Sequence, residues 1–272
     1  MSMECATRCP LLLVHGAGFR DLKWPVYWGR IPGALEARGA RIFYGNQDCW
    51  ASVDTNAAVI AERIGEITAA TGAEKVNIIA HSKGGLDARR AARLASCAGK
   101  IASITTVATP HHGSETIARL FRLPHSLWNT AAFAVNNWIR LVGDREPDFL
   151  SLCRDFTPER MEQFNRENPD VPGIFYQSFA CEMRHPLADI NLSTANFVIG
   201  RIEGPNDGLV PVRSAQWGSR FTVIRSPGLR GISHLDAIDL RRAPFSKKKG
   251  HGVSDICDLY VDIVKDLKAR GL

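Results

Sequence analysis

Lys75-Val76-Asn77-Ile78-Ile79-Ala80-His81-Ser82-Lys83-Gly84-Gly85 decides how this chain is read. Its opening is a short apolar run rich in β-branched residues, which predicts a buried strand over Val76 to Ala80. Helix-forming residues resume almost at once, from Leu86 to Leu94. A strand that turns sharply into a helix with a serine at the apex presents that hydroxyl on a strained, exposed bend. The bend is cramped, so small residues must flank it, and Ala80, Gly84 and Gly85 do so. Ser82 is therefore the candidate nucleophile.

Outward from this turn, short apolar runs alternate with helical patterns. The expected strands are Leu11 to Val14, Arg41 to Tyr44, Val76 to Ala80, Ile101 to Ala108, Ile174 to Ala180, Phe197 to Ile199 and Phe221 to Ile224. Asn56 to Thr68 places Ala57, Ile60, Ala61, Ile64 and Ile67 at helical spacing, and Cys257 to Leu267 carries Tyr260, Ile263, Val264 and Leu267 on one stripe. Such alternation predicts an α/β fold: a mainly parallel central sheet with helices on both faces. One domain over residues 1–272 is the expectation, with no internal repeat or linker. Residues 111–172 break the alternation. Leu120, Phe121, Leu123, Leu127, Trp128, Phe133, Val135 and Trp138 crowd the stretch from Ile117 to Trp138, which reads as a helical cap or lid with an apolar inner face.

Composition sets outer bounds. With 272 residues, 45% hydrophobic and 23% charged, the chain has the makeup of a globular protein rather than a disordered one. Its net charge of +6 is spread along the sequence and does not point to nucleic acid; Lys247-Lys248-Lys249 reads as a solvated loop tip. No apolar stretch approaches the ~20 residues that span a bilayer, and the first residues lack the order of a signal peptide. The sequence as given reads as cytoplasmic, or as secreted where a leader has been removed. Seven scattered cysteines without a C-x-x-C pair read as reduced thiols.

A serine hydroxyl needs a base within hydrogen-bonding reach and an acid to orient that base. Along a strand–turn–helix hydrolase the order is serine, acid, histidine. Asp207, in Pro205-Asn206-Asp207-Gly208-Leu209-Val210, and His234, in Ile232-Ser233-His234-Leu235-Asp236, satisfy it, each in a loop after a late strand. His15 and His81 come too early for the base, and His111 and His112 precede the acid. Backbone N–H groups must also face the developing oxyanion. Val14-His15-Gly16-Ala17-Gly18 follows the first strand, so the N–H of Ala17 and that of Lys83 are the expected donors.

Five segments in register carry a resemblance: Leu12-Leu13-Val14-His15-Gly16, Ala80-His81-Ser82-Lys83-Gly84-Gly85, Ala108-Thr109-Pro110-His111-His112-Gly113-Ser114, Asn206-Asp207-Gly208-Leu209-Val210 and His234-Leu235-Asp236. The chain resembles the bacterial true lipases, the triacylglycerol lipase family of the α/β-hydrolase superfamily; Ala80 stands where glycine is more usual. The resemblance implies Ser82 as nucleophile, Asp207 as acid, His234 as base, and Ala17 with Lys83 as the oxyanion hole. It implies a hydrophobic acyl ester as substrate, met in some cases at a lipid interface, and no cofactor for the chemistry itself. It also implies a structural calcium at Asp189 and Asp236, although Leu240 stands where the family's glutamine would be. The same machinery serves thioesters and amides, and the fold can hold a ligand without turning it over.

Overall fold

The computed structural model describes residues 3–18, 27–122, 153–245 and 252–272. Among these residues, six parallel strands form one sheet: β1 (Leu11–Val14), β2 (Ile42–Tyr44), β3 (Val76–His81), β4 (Ile101–Val107), β5 (Phe175–Ala180) and β6 (Arg220–Val223), in the order β2-β1-β3-β4-β5-β6. Every residue of β1, β3 and β4 is buried, as parallel strands covered on both faces require.

The two-residue period of β1 divides the core. Leu11 and Leu13 join one apolar cluster with Trp28, helix α1 (Ile31–Glu36) and the closing helix α7 (Ile256–Ala269). Leu12 and Val14 join the other, built on helix α2 (Val53–Thr71) and helix α3 (Gly84–Ala92). Helix α2 starts at Ser52, whose side chain accepts from the Thr55 N–H, and stops at Gly72, where φ is +69°. Its buried face contains the expected Ala57, Ile60, Ala61, Ile64 and Ile67.

Helices α4 (Glu115–Leu120) and α5 (Pro158–Glu167) fall in the segment expected to form a cap. Residues 123–152, which hold most of the Ile117 to Trp138 stretch, lie outside the described residues, as do 246–251 with Lys247 to Lys249. The described ends are tied to the body. Glu203 accepts from Ser114 Oγ at 2.5 Å and the Thr116 N–H at 2.8 Å, anchoring the start of α4. The buried Arg89 guanidinium lies 3.5 Å over the Trp217 ring and donates to Asn165 Oδ1 and the Asn168 carbonyl of the α5 region.

One expected strand is a helix. Phe197 to Ile199 belongs to α6 (Ser193–Ile202), where Asn196 and Ile199, with the N-cap residue Leu192, are buried while Phe197 is exposed. Three adjacent apolar residues fit either period, and here burial follows the i, i+4, i+7 spacing of a helix. Asp207 therefore follows a helix that succeeds β5, not a strand of its own.

Candidate active site

The loops after β1, β3, β5 and β6 meet at the carboxyl edge of the sheet, where open parallel sheets gather their ligands. Val14 is in register with Ala80, which sets His15 and Gly16 beside His81 and Ser82. Ser82 has φ of +54°, the left-handed conformation that a non-glycine residue adopts only under constraint. The constraint comes from three bonds: its N–H donates to the Val107 carbonyl (3.0 Å), and its carbonyl accepts from the Gly85 N–H (3.0 Å) and Thr109 Oγ1 (2.8 Å). Two glycines permit the close approach. A Cβ on Gly16 would stand 2.7 Å from Ser82 Cβ, and one on Gly84 2.2 Å from the His15 carbonyl oxygen.

His234 and Asp207 are joined twice. Asp207 Oδ2 lies 2.7 Å from His234 Nδ1, and the His234 N–H donates to the Asp207 carbonyl at 2.8 Å. The other carboxylate oxygen, Oδ1, accepts from the N–H groups of Leu209 (2.9 Å) and Val210 (2.7 Å), which fixes the acid's rotamer. The Asn-Asp-Gly turn is itself held, since Asn206 Oδ1 accepts from the Gly208 N–H. The His234 ring stands 4.5 Å, centroid to centroid, from that of His81, the residue immediately before Ser82. The structure thus brings His234 and Asp207 together and sets them against the turn that carries Ser82.

The other histidines near strand ends have different partners. His81 Nδ1 meets the Tyr27 hydroxyl at 2.7 Å, and that hydroxyl accepts from the Gly16 N–H at 2.8 Å. Burial, and after it the neighbouring His234, hold the His81 pKa well below 6.5, so the ring is neutral. His15 bonds the carbonyls of Gly16 and Gln47, while Gln47 Nε2 donates back to the His15 carbonyl. His111 lies between Arg89 and Thr106, and His112 meets the Gln216 carbonyl.

Lys83 begins α3, where N–H groups have no partner within the helix, and Ala17 lies in the loop after β1 that Gly16 packs against Ser82. The Lys83 side chain, by contrast, is buried against Asp87 one helical turn on, with Nζ–Oδ distances of 2.8 and 3.0 Å. Asn56 Nδ2 donates to the same carboxylate and to the Asp48 carbonyl. The i, i+4 spacing of Lys83 and Asp87 was readable in the sequence. The part played by Tyr27 had no sequence signal, because it links residues from two separate strand ends, Gly16 after β1 and His81 in β3.

Asp189 and Asp236 do come together, but around a protein group. Ser233 Oγ donates to Asp189 Oδ2 (2.8 Å), and the Ser233 N–H donates to Asp236 Oδ2 (3.1 Å). Asp189 Oδ1 accepts from the Asn191 N–H, and Asp236 Oδ1 from Arg241 Nε. All four carboxylate oxygens are engaged, and Leu240 offers only a hydrocarbon side chain packed on the core. Calcium takes about 6–8 oxygen ligands, so these residues as arranged do not fit it. Asp239, Asp255 and Cys257 form another close cluster, and there the Arg30 guanidinium bonds both carboxylates at 2.6–2.9 Å. All seven cysteines are buried thiols outside disulfides.

A model of the alpha/beta hydrolase fold matches residues 10–173. The chain belongs to the α/β-hydrolase fold family. Within it, a triacylglycerol lipase of Pseudarthrobacter phenanthrenivorans is 35% identical over 91% of this chain and 98% of its own, and one of Burkholderia plantarii is 35% identical over 91% and 88%. The fold is also that of solved ester hydrolases. The Staphylococcus hyicus lipase superposes with a TM-score of 0.64 at 17% identity, covering 97% of each chain. A metagenomic carboxyl esterase does so with a TM-score of 0.71 at 18% identity, covering 97% of this chain and 76% of its own.

Proposed function

We propose that this lipase-family ester hydrolase cleaves hydrophobic acyl esters with Ser82 as nucleophile, His234 as general base and acid, and Asp207 as the carboxylate that orients His234. The observation that carries the reading is the His234–Asp207 pair, 2.7 Å apart, set against a serine at φ +54°. With Nδ1–H directed at Asp207, Nε2 of the neutral ring takes the Ser82 proton as Oγ adds to the ester carbonyl. The N–H groups of Ala17 and Lys83 hold the resulting oxyanion. Collapse of the tetrahedral intermediate expels the alcohol, which leaves with the proton from His234. Water then adds to the acyl-enzyme, giving its proton to His234; the second collapse frees the acid and returns that proton to Ser82. Every group in this sequence comes from the protein.

Relatives named triacylglycerol lipases support a triacylglycerol as substrate, with the 111–172 segment as the apolar cover over the acyl chain. The same Ser-His-Asp set would accept a thioester or amide, and the pocket decides the leaving group. The test is labelling by a fluorophosphonate together with turnover of nitrophenyl esters of increasing chain length and of emulsified triglyceride. Wild type labels and hydrolyses, with activity rising toward longer chains; folded Ser82→Ala does neither. Full turnover by folded Ser82→Ala would refute the mechanism, and absence of labelling in wild type would favour a ligand-binding role.

A further inference from the structure

The loop that carries the catalytic base brings its own buried carboxylate, Asp236, beside a second one, Asp189, from the segment after β5, and the way their charge is compensated assigns a role to an arginine that the ester chemistry leaves unused. Asp236, two residues after His234, is 2% exposed, and Asp189 is 9% exposed. Ser233 lies between them: its hydroxyl donates to Asp189, its N–H donates to Asp236, and its Oγ accepts from the Asp236 N–H at 3.1 Å. Two like charges bridged by one neutral residue are costly out of water unless a cation stands beside them. Arg241 stands there. Its Nε bonds Asp236 Oδ1, and its guanidinium also faces the Phe245 ring. Its side chain is 32% exposed, so the cation keeps part of its hydration while the carboxylate it pairs with does not.

We propose that the guanidinium of Arg241 is the built-in cation of the His234 loop, occupying the place for which a structural calcium was expected at Asp189 and Asp236. The substitution is coherent chemically. A guanidinium is always charged and presents directed N–H donors to a carboxylate, whereas calcium would need several more oxygens than remain. The loop is held at neighbouring points by the same means. Arg30 bridges Asp239 and Asp255, fastening the end of the His234 segment to α7. Arg230 donates to the Ala188 carbonyl, next to Asp189. Arg241 acts through Ser233 and Asp236 on where His234 sits, so it is a positioning residue and touches no reacting atom.

The test reads thermal unfolding first, which does not depend on what the enzyme hydrolyses. Wild-type protein should melt at one temperature after exhaustive treatment with a chelator and in millimolar calcium chloride. Arg241→Ala should melt several degrees lower, and millimolar methylguanidinium should restore part of the loss. Arg241→Lys should fall between the two. On a nitrophenyl ester, kcat of Arg241→Ala should drop by up to roughly a hundredfold with KM nearly unchanged, the order expected when a catalytic group is displaced by about 1 Å. A fall in the wild-type melting temperature on chelation, reversed by calcium, would overturn the proposal. So would wild-type melting and kcat in Arg241→Ala. Should Arg241→Ala fail to fold, the chelation result and Arg241→Lys still decide.

Discussion

The ammonium of Lys83 and the carboxylate of Asp87 are 2.8 Å apart with both side chains 2% exposed, one residue beyond the nucleophile. This buried ion pair underlies the nucleophile helix, and Asn56 ties it to α2. Burial raises the Asp87 pKa from 3.8 to about 6 even with Lys83 and Asn56 pulling it down. Lys83→Met keeps the backbone N–H proposed for the oxyanion hole but strands the carboxylate. Breaking such a pair costs about 3–5 kcal/mol. The cost should be full at pH 8, where Asp87 is ionised. It should shrink at pH 5, because without the ammonium the carboxyl titrates above 6 and is already neutral. Urea unfolding at both pH values measures this, and Lys83→Met/Asp87→Leu should recover most of the loss at pH 8. Equal destabilisation at both pH values would be inconsistent with the assignment.

Asp207→Asn should lower kcat by roughly ten-thousandfold, because the amide no longer fixes the His234 tautomer. Asp189→Asn, whose partners are Ser233 and Asn191, should act on stability instead. Steady-state kinetics on both variants, alongside circular dichroism, separate these effects. The greater kinetic damage in folded Asp189→Asn would mean that the wrong carboxylate has been assigned.

Gly16→Ala should impair catalysis more than folding. The added methyl would meet Ser82 Cβ at 2.7 Å, the Tyr27 hydroxyl at 2.9 Å and the His81 carbonyl at 3.0 Å. The oxyanion loop must then retreat from the nucleophile, and kcat should fall roughly a hundredfold. Gly33→Ala, in helix α1 with nothing within 4 Å of the new carbon, is the control and should be neutral or slightly stabilising. Comparable activity in the two variants would refute the close-approach argument.

His111 supplies a pH test. Burial, then the Arg89 charge, hold its pKa well below 6.5, so the folded protein keeps it neutral while the unfolded chain takes up a proton below that value. Its contribution to stability is thus complete above pH 6.5 and is lost as pH falls, by up to ~1.4 kcal/mol per unit. His111→Gln removes this proton uptake, and its melting temperature should decline less between pH 6.5 and 5 than that of wild type. Parallel declines would show that another group governs acid sensitivity.

Most of the sheet was legible because parallel strands buried on both faces announce themselves as short apolar runs. Phe197 to Ile199 misled for the same reason: a run of three carries no period, and the helix was visible only in which residues ended up buried. The sharp turn at Ser82 and the pairing of Asp207 with His234 were legible because each residue lies in a loop whose local chemistry and chain order are characteristic. What was not legible depends on contacts between distant segments. Tyr27 gains its place by reaching Gly16 and His81, and Arg241 by standing beside a carboxylate that sequence alone offers equally to a metal.

The double link between His234 and Asp207 gives the amide of His234 a value as a reporter. Its proton is held by the Asp207 carbonyl, and the ring of the same residue is held by the Asp207 carboxylate. An opening that releases one link slackens the other, so the rate at which that single amide exchanges with deuterated solvent records how often base and acid part company. Read under conditions where the whole chain stays folded, it would give the standing population of disassembled catalytic centres without any substrate being present.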